Sequence, residues 1–344
     1  MLLKSAIPAS SGYVDQYQNI GTMRNRGWEF TLSTVNLKSE DFRWTTDLNF
    51  AFNKSKVMSL EKDITQKTFN VGGNRSGSVT YYATVGDQLG DMYGYVYDGL
   101  YTTADFTQNA NGTFTLNPGV VKPATGTASP GDIKFAADNE AGDQFTRKLV
   151  KIGNGTPDCI GGITNTFAYK GFDFNVFMNF SIGNDIYNAT KHSTSPYALF
   201  QNVPEEFGNN YYRLVDPVTG QKTNSLARLQ ELNPDEASRT SALNLVNSSY
   251  ITYPSSYFVE DGSYLRIAQL TFGYTLPNEV SEKANISNIR FYFTANNLFT
   301  FTDYSGYNPE VSAGDNDLVA VTPGYDNAAY PRSKSYVFGL NLTF

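Results

Sequence analysis

Histidine and cysteine are nearly absent from this chain, and their scarcity excludes several kinds of site. Its 344 residues contain one histidine, His192, and one cysteine, Cys159. A single histidine cannot by itself form a metal cluster or an acid–base pair, and a single cysteine permits no internal disulfide. His192 lies in a segment rich in threonine, serine and lysine, so we expect it to be exposed and chemically inert.

Long apolar runs and an excess of positive charge are also lacking. No uninterrupted apolar run approaches the ~18–20 residues of a membrane helix, which excludes a helical membrane protein. The net charge is −7, from 26 basic and 33 acidic residues, so phosphate backbones are repelled and no nucleic-acid partner is expected. The segment after Met1 has neither a basic start nor a sustained apolar core, so we expect no secretory signal.

The sequence offers no catalytic arrangement. The acidic pairs 205–206 and 260–261 are adjacent residues, which point apart on a strand and cannot share acid–base work. The segment 86–90 lacks the Lys-Ser/Thr of a phosphate-binding loop. We therefore expect neither an enzyme nor a cofactor site.

Aromatic residues and glycine, in contrast, are abundant. The chain has 24 tyrosines, 24 phenylalanines and 29 glycines, with aromatics at 15% of the composition. Aromatic residues favour strands and glycine favours turns, so the composition predicts an all-β protein.

The last twelve residues, SKSYVFGLNLTF, alternate apolar and polar side chains and end on an aromatic residue. This length suits a tilted strand that crosses a bilayer, which needs ~9–11 residues. The strand is typical of the closing strand of an outer-membrane β-barrel, and its terminal aromatic resembles the signal read by the barrel-insertion machinery. An edge strand of a soluble sandwich remains an alternative. The candidate insertion signal is Tyr336, Phe338, Leu340, Leu342 and Phe344.

Six further segments show the same alternation, which predicts seven clear strands at 27–38, 42–54, 161–170, 172–183, 263–277, 288–299 and 333–344. Residues 92–97 could add another strand, and we expect up to about ten in all. Residues 1–26 are expected to be irregular, and 278–288 could hold a helical turn.

The connections between these strands run short, long, short, long, modest, long. Outer-membrane barrels alternate short periplasmic turns with long extracellular loops, whereas a soluble sandwich has no reason to sort its loops in this way. The fold class predicted is an antiparallel transmembrane β-barrel. Seven to ten strands leave two bare edges, which lipid does not tolerate. We therefore expect residues 1–344 to be an incomplete, C-terminal part of a barrel.

Short motifs in order along the chain resemble the C-terminal barrel region of the SusC/RagA family of TonB-linked transporters of the Bacteroidetes outer membrane. The first is N-I-G-T-M-R-N-R-G-W-E at 19–29. The others include Gly94-Tyr95 with Asp98-Gly99-Leu100, P-G-D-I-K at 130–134, I-G-N with Pro157 at 152–157, Y-K-G-F-D at 169–173, Y-L-R-I at 264–267, L-T-F-G-Y at 270–274, N-N-L-F at 296–299 and Y-P-R at 330–332.

This resemblance implies TonB-dependent import of glycan oligosaccharides or peptides across the outer membrane of a Gram-negative bacterium. It implies a SusD-like surface lipoprotein as a lid, the TonB complex as the energy source and the barrel-assembly machinery as the insertion partner. We expect the family's plug domain and signal peptide to lie outside this chain. The chain is thus expected to be the barrel wall of a larger transporter.

The acidic segment after P-G-D-I-K departs from the family pattern. The family often carries a D-x-N-x-D-G-like stretch that resembles a calcium loop, but here the glycine precedes the last aspartate. Asp138, Asn139 and Asp143 are therefore only weak metal candidates, and a solvated acidic loop is the favoured interpretation.

Substrate contacts are expected from tyrosines in the long connections, because tyrosine rings stack on sugars and their hydroxyls hydrogen-bond. The candidates are Tyr211, Tyr212, Tyr304, Tyr307 and Tyr325. Packing within the loops or against the lipoprotein is the alternative. Trp28 and Trp44 are assigned to the aromatic girdle at the membrane interfaces. For the whole chain, a soluble secreted carbohydrate-binding β-sandwich and a passive porin remain the competing functions.

Overall fold

The computed structural model describes residues 2–6, 8–13, 15–19, 21–61, 64–72, 79–195, 204–242, 253–311 and 321–344. Strands in these residues are numbered in chain order: β1 (Leu2–Ala6), β2 (Asp15–Asn19), β3 (Thr22–Lys38), β4 (Phe42–Ser59), β5 (Gln66–Val71), β6 (Val79–Thr84), β7 (Asp91–Gly94), β8 (Tyr97–Leu100), β9 (Phe106–Gln108), β10 (Phe114–Leu116), β11 (Ile133–Phe135), β12 (Val150–Asn154), β13 (Cys159–Tyr169), β14 (Phe172–Ile182), β15 (Asp185–Asn188), β16 (Val259–Asp261), β17 (Tyr264–Thr275), β18 (Asn288–Thr302), β19 (Tyr325–Asp326) and β20 (Ser335–Thr343).

Helices are few and short in the described residues. The α-helices are α1 (Ala189–Ser193), α2 (Glu205–Asn210), α3 (Leu226–Leu232) and α4 (Asn278–Ser281), and the other helices are single 3-10 turns. Within the ranges given above, no helix is both long and apolar enough to cross a membrane.

The largest sheet has seven antiparallel strands in the order β3-β4-β13-β14-β17-β18-β20, and we call it the wall. Each wall strand pairs with the next wall strand along the chain, and the seven strands predicted from alternation are confirmed. The connections 39–41, 170–171 and 276–287 lie at one end, and the longer connections 60–158, 183–263 and 303–334 lie at the other. The expected helical turn is α4 in the connection 276–287.

The two faces of the wall differ in chemistry. In one row across the wall, Phe174 pairs with Phe272, Phe272 with Phe293 and Phe293 with Phe338, and the apolar face formed by such rows is called the outer face. Phe338 is 80% exposed on this face. A soluble sandwich would bury this apolar parity, so the sandwich alternative is wrong and the wall is part of a transmembrane barrel.

The opposite, inner face carries threonine, asparagine, serine and paired charges. On it, Arg290 binds Asp173 through two bonds, Nε–Oδ1 at 3.0 Å and Nη2–Oδ2 at 2.6 Å. A side chain at Gly273 would collide with both partners, and one at Gly339 would collide with the ring of Tyr292. Glycine at these two positions leaves room for large side chains that cross from the neighbouring strand.

The described residues of the three long connections fold into a second layer, which we call the roof. It contains a four-stranded sheet β5-β6-β7-β12, a three-stranded sheet β16-β15-β19 and the pairs β8–β11 and β9–β10. The main hydrophobic core lies here, around Tyr81, Tyr187, Phe207, Phe258 and Tyr325. The strand predicted at 92–97 corresponds to β7, which joins the roof and does not extend the wall.

Two expectations were wrong. Residues 1–26 are not wholly irregular, because β1 and β2 pair with each other and β3 begins at Thr22.

His192 is not exposed: it lies on α1 with 4% exposure, its Nδ1 is 2.6 Å from the Tyr187 hydroxyl, and its ring stacks on Phe258. A polar sequence neighbourhood concealed a core position formed by residues distant in the chain.

Candidate functional site

A cavity of about 780 Å³ lies where the roof meets the wall, and we call it the roof–wall cavity. Asn179 and Ser181 from β14 and Tyr264 from β17 line it on the wall side. Glu310 and Arg332, both from the connection 303–334, line it on the roof side. Polar groups from separate elements thus converge in one concave place, as ligand sites require.

Arg266 is the buried cation that joins the two sides. Its side chain is 3% exposed; Nε donates to Thr300 Oγ1 at 3.0 Å, Nη2 donates to Asn308 Oδ1 at 2.7 Å, and Nη1 forms an ion pair with Glu310. A buried guanidinium is tolerated only when its donors are satisfied and its charge is neutralised. These bonds hold the connection 303–334 against the wall.

Glu310 is the centre of the network. Tyr264 donates its hydroxyl to Oε1 at 2.8 Å, and Arg332 Nη2 lies 2.6 Å from Oε2. Burial alone would raise the pKa of Glu310, but the hydrogen bonds from Tyr264 and Arg266 and the charges of Arg266 and Arg332 outweigh it, so the pKa is lowered. The carboxylate is therefore ionised at neutral pH.

Asn179 borders this network and has an unused acceptor. Its Nδ2 faces the Tyr264 hydroxyl at 3.3 Å and Glu310 Oε1 at 3.4 Å. Because a carboxylate only accepts, the amide nitrogen must be the atom that faces it. The other amide atom, Oδ1, is buried without a hydrogen-bond partner. An unsatisfied buried carbonyl is costly, so the position of Asn179 beside Glu310 has a local cost in stability.

Three of the five candidate tyrosines belong to the roof core. Tyr212, Tyr304 and Tyr325 are buried, and the Tyr304 hydroxyl donates to Asp326 Oδ2 at 2.5 Å. For these three, the geometry supports the packing role that the sequence left open. Tyr307 is 74% exposed and Tyr211 is half-buried, so substrate contact stays a prediction for these two.

In the acidic segment that follows P-G-D-I-K, side-chain oxygens accept hydrogen bonds from the protein's own backbone. Asp138 accepts from the backbone N–H groups of Thr146 and Lys148, and Asn139 Oδ1 accepts from the backbone of Asp143 and Gln144. In the described part of the chain, no group of three or more His, Cys, Asp or Glu residues could hold a metal ion. The contacts of these residues support a loop-stabilising role.

The predicted insertion signal lies on the outer face. Tyr336, Phe338, Leu340, Leu342 and Phe344 are all exposed, and the first four oppose β18 residues of the same face. Their recognition by the insertion machinery stays a prediction. Trp28 and Trp44 also lie on this face, and Trp44 Nε1 donates to Asn165 Oδ1 at 3.0 Å.

Sequence reasoning missed the network around Glu310. Arg266 offered a signal, because it is a charge in phase with Leu270 and Phe272, on the apolar parity of its strand. Arg332 and Tyr264 lie in the family motifs Y-P-R and Y-L-R-I, but no role could be assigned to them from the sequence. Asn179 and Glu310 gave no signal, since their partners are distant in sequence.

Comparisons with known proteins give a consistent result. The whole chain aligns with TonB-dependent receptor P3 of Formosa agariphila at 31% identity over 346 residues, which is 31% of that protein. TonB-dependent receptor SusC of Bacteroides thetaiotaomicron aligns with 98% of the chain at 26% identity, over 28% of its own length. The solved structure of the RagAB peptide transporter shares the fold, with a TM-score of 0.67 and 22% identity over 100% of this chain and 32% of that one. The chain thus spans about a third of the length of these curated relatives. No protein-family model matches.

Proposed function

This chain belongs to the SusC/RagA family of TonB-dependent receptors, and we propose that it forms the C-terminal barrel wall and part of the external roof of an outer-membrane nutrient importer. The outer face contacts lipid in this proposal, since in a membrane an exposed apolar face has no cost. The short connections are periplasmic and the roof is extracellular. The relatives are receptors and transporters, and we propose no enzymatic activity.

The substrate class proposed is a glycan oligosaccharide or a peptide, imported with energy from the TonB complex. The observation that carries the proposal is the roof–wall cavity, which offers polar groups on the inner side of a wall whose other side is apolar. A SusD-like surface lipoprotein is the proposed partner on the roof, and the barrel-assembly machinery is the proposed partner of the last strand. The chain alone supplies part of this transporter.

The test is uptake by cells that produce the complete gene product containing this chain. Isotope-labelled short peptides and maltooligosaccharides are supplied to cells with and without a functional TonB protein, and membrane fractionation locates the protein. We expect it in the outer membrane, with accumulation of one probe class that stops when TonB is lost. Uptake that continues without TonB would identify a passive porin, and absence of uptake of both classes would contradict the import proposal.

A further inference from the structure

We propose that four basic side chains at the roof end of the outer face bind the phosphorylated headgroup of an anionic glycolipid in the outer leaflet of the membrane. The four are Arg24 and Arg26 of β3 and Lys54 and Lys56 of β4, and we call them the basic patch. The inference rests on the proposed orientation of the wall, with the roof outside the cell. It adds a lipid-binding site to the outer face.

The basic patch projects from the side of the wall that carries the apolar residues. On each strand, the two cations have the parity of the aromatic residue that lies next to them towards the middle of the wall, Trp28 on β3 and Phe52 on β4. All four cations are exposed. Because side chains alternate along a strand, they leave the wall on the outer face. The register joins the two strands in three rows without a shift: Arg24–Lys56, Arg26–Lys54 and Trp28–Phe52.

The position of the patch along the strands matches the headgroup layer of a bilayer. Trp28 and Phe52 form an aromatic row near one end of the outer face, and Trp44 lies near the other end, roughly 26 Å from Phe52 along β4. This span is comparable with the ~25 Å apolar band of a barrel, which aromatic girdles border on both sides. The two rows of cations follow at roughly 7 Å and roughly 13 Å beyond the aromatic row. A headgroup layer is ~5–7 Å thick, so the patch lies at headgroup depth and just beyond it.

The protein does not neutralise the charge of the patch. Within the residues that the structure describes, none of the four cations forms an ion pair with a carboxylate. Like charges directly opposite each other in a sheet are destabilising, and here two such pairs occupy consecutive rows of the register. A bound anion would offset this repulsion, whereas a neutral ligand would not. The charges therefore favour a phosphorylated lipid over a neutral one.

A surface hollow of about 1060 Å³ joins the patch to the aromatic row. Arg26 and Lys54 line it together with Trp28 and Phe52. Asp158 also contributes to the lining, but in the described part of the chain it forms no ion pair with either cation. Cations next to exposed rings suit an amphiphile, whose phosphate accepts hydrogen bonds from the cations while its less polar part contacts the rings. A lipid headgroup fits this arrangement better than a free phosphate ion does.

Arg26→Gln/Lys54→Gln tests the patch, and Lys38→Gln/Arg43→Gln is the matched control. Lys38 and Arg43 are also an exposed cross-strand pair of β3 and β4, but they lie beside the short connection 39–41, with Arg43 on the inner-face parity of β4. The complete protein in a non-ionic detergent is mixed with lipid A, a phosphorylated glycolipid, or with the same lipid after removal of its phosphates. Native mass spectrometry then measures the fraction of protein that carries lipid. We expect the patch variant to bind lipid A about 10- to 30-fold more weakly than the wild type, and the control variant to bind it equally well.

The thermal midpoint of unfolding provides a second measurement. Without lipid, the patch variant should be at least as stable as the wild type, because the repulsion between Arg26 and Lys54 is removed. Lipid A should raise the midpoint of the wild type more than that of the patch variant. If the double substitution prevents folding, the two single variants carry the same comparison, each with a smaller loss of affinity.

Three results would overturn the inference. The first is equal binding of lipid A by the wild type and the patch variant. The second is an unchanged affinity of the wild type for the lipid without phosphates. The third is displacement of lipid A by an equal concentration of inorganic pyrophosphate, which would make the patch a site for free phosphate.

The lipid site and the proposed function fail in different ways. Lipid binding that depends on the patch, in a protein without TonB-dependent uptake, would support the site and contradict import. TonB-dependent uptake together with unchanged lipid binding by the patch variant would support import and overturn the site. A roof that membrane-impermeant reagents label only in broken cells would contradict the orientation, and with it the assignment of the patch to the outer leaflet.

Discussion

Glu310 connects the last long connection to the wall through partners from two elements. Arg266 and Tyr264 reach it from β17, and Arg332 reaches it from its own connection. Because Arg266 is buried, loss of the carboxylate's charge would leave a buried guanidinium without a counter-ion. Breaking such a pair is far more costly than breaking an exposed one.

The network predicts a dependence of stability on pH. The native pKa of Glu310 lies below its ordinary value of 4.5, so its contribution is complete above pH 4.5 and is lost as the pH falls through the native value. The thermal midpoint of unfolding is measured for the complete protein in detergent between about pH 7 and about pH 3. At the upper end of this range, the wild type should have a higher midpoint than Glu310→Gln. The difference between the two midpoints should shrink towards the lower end.

Glu279 provides the control for that experiment, since it is exposed on α4, at the opposite end of the wall from the connection that carries Glu310. Glu279→Gln should keep the wild-type profile. If the thermal midpoints of the wild type and Glu310→Gln differ by the same amount over the whole pH range, the charge of the carboxylate does not hold the connection 303–334 against the wall.

Single residues of the site were the least predictable from sequence. The pattern assigned Asn179 correctly to the polar parity of β14, but the orientation of its amide depends on Glu310, a residue of the connection 303–334. Tyr304 and Tyr325 could not be told from exposed loop tyrosines, because their burial arises from contacts between distant segments. His192 shows the same limit.

At the scale of strands, sequence alternation predicted far more. All seven wall strands and their order follow from period-2 patterns and connection lengths. The register shift between Ile267 and Gln269, opposite Asn297 with φ at +52°, was not predicted. This bulge changes the parity of β17, so Leu265 joins the outer face although it is out of phase with Phe272.

The parity of the wall can be tested with two neighbouring residues of β14. Val176 lies on the outer face and Asn175 on the inner face. Val176→Arg should lose ~2–4 kcal/mol, the cost of an arginine facing the middle of a bilayer, whereas Asn175→Arg places its charge on the polar side and should cost much less. Unfolding of the complete protein in lipid vesicles measures both. Equal costs would contradict the assignment of the outer face to lipid.

At the scale of the whole molecule, the two layers are stabilised by different solvents. The wall exposes its apolar face, whereas the roof buries apolar side chains as a water-soluble domain does. The sequence revealed the wall because its strands are long and pair with the next wall strand. It did not reveal the roof, whose strands of two to six residues are too short for a periodic pattern.

This division predicts that a core substitution weakens one layer alone. Phe258 is buried in the roof against His192 and Tyr187. Phe258→Ala should remove about 3–5 kcal/mol from the roof by leaving a cavity. Hydrogen exchange of the complete protein in lipid nanodiscs should then show faster exchange in β6 and β15, with unchanged exchange in β13 and β14.

Phe301→Ala, on the outer face of the wall, is the control and should leave β6 and β15 protected. Faster exchange in both layers after Phe258→Ala would mean that roof and wall unfold together, because the contacts around Glu310 and the roof–wall cavity would then couple them into one cooperative unit.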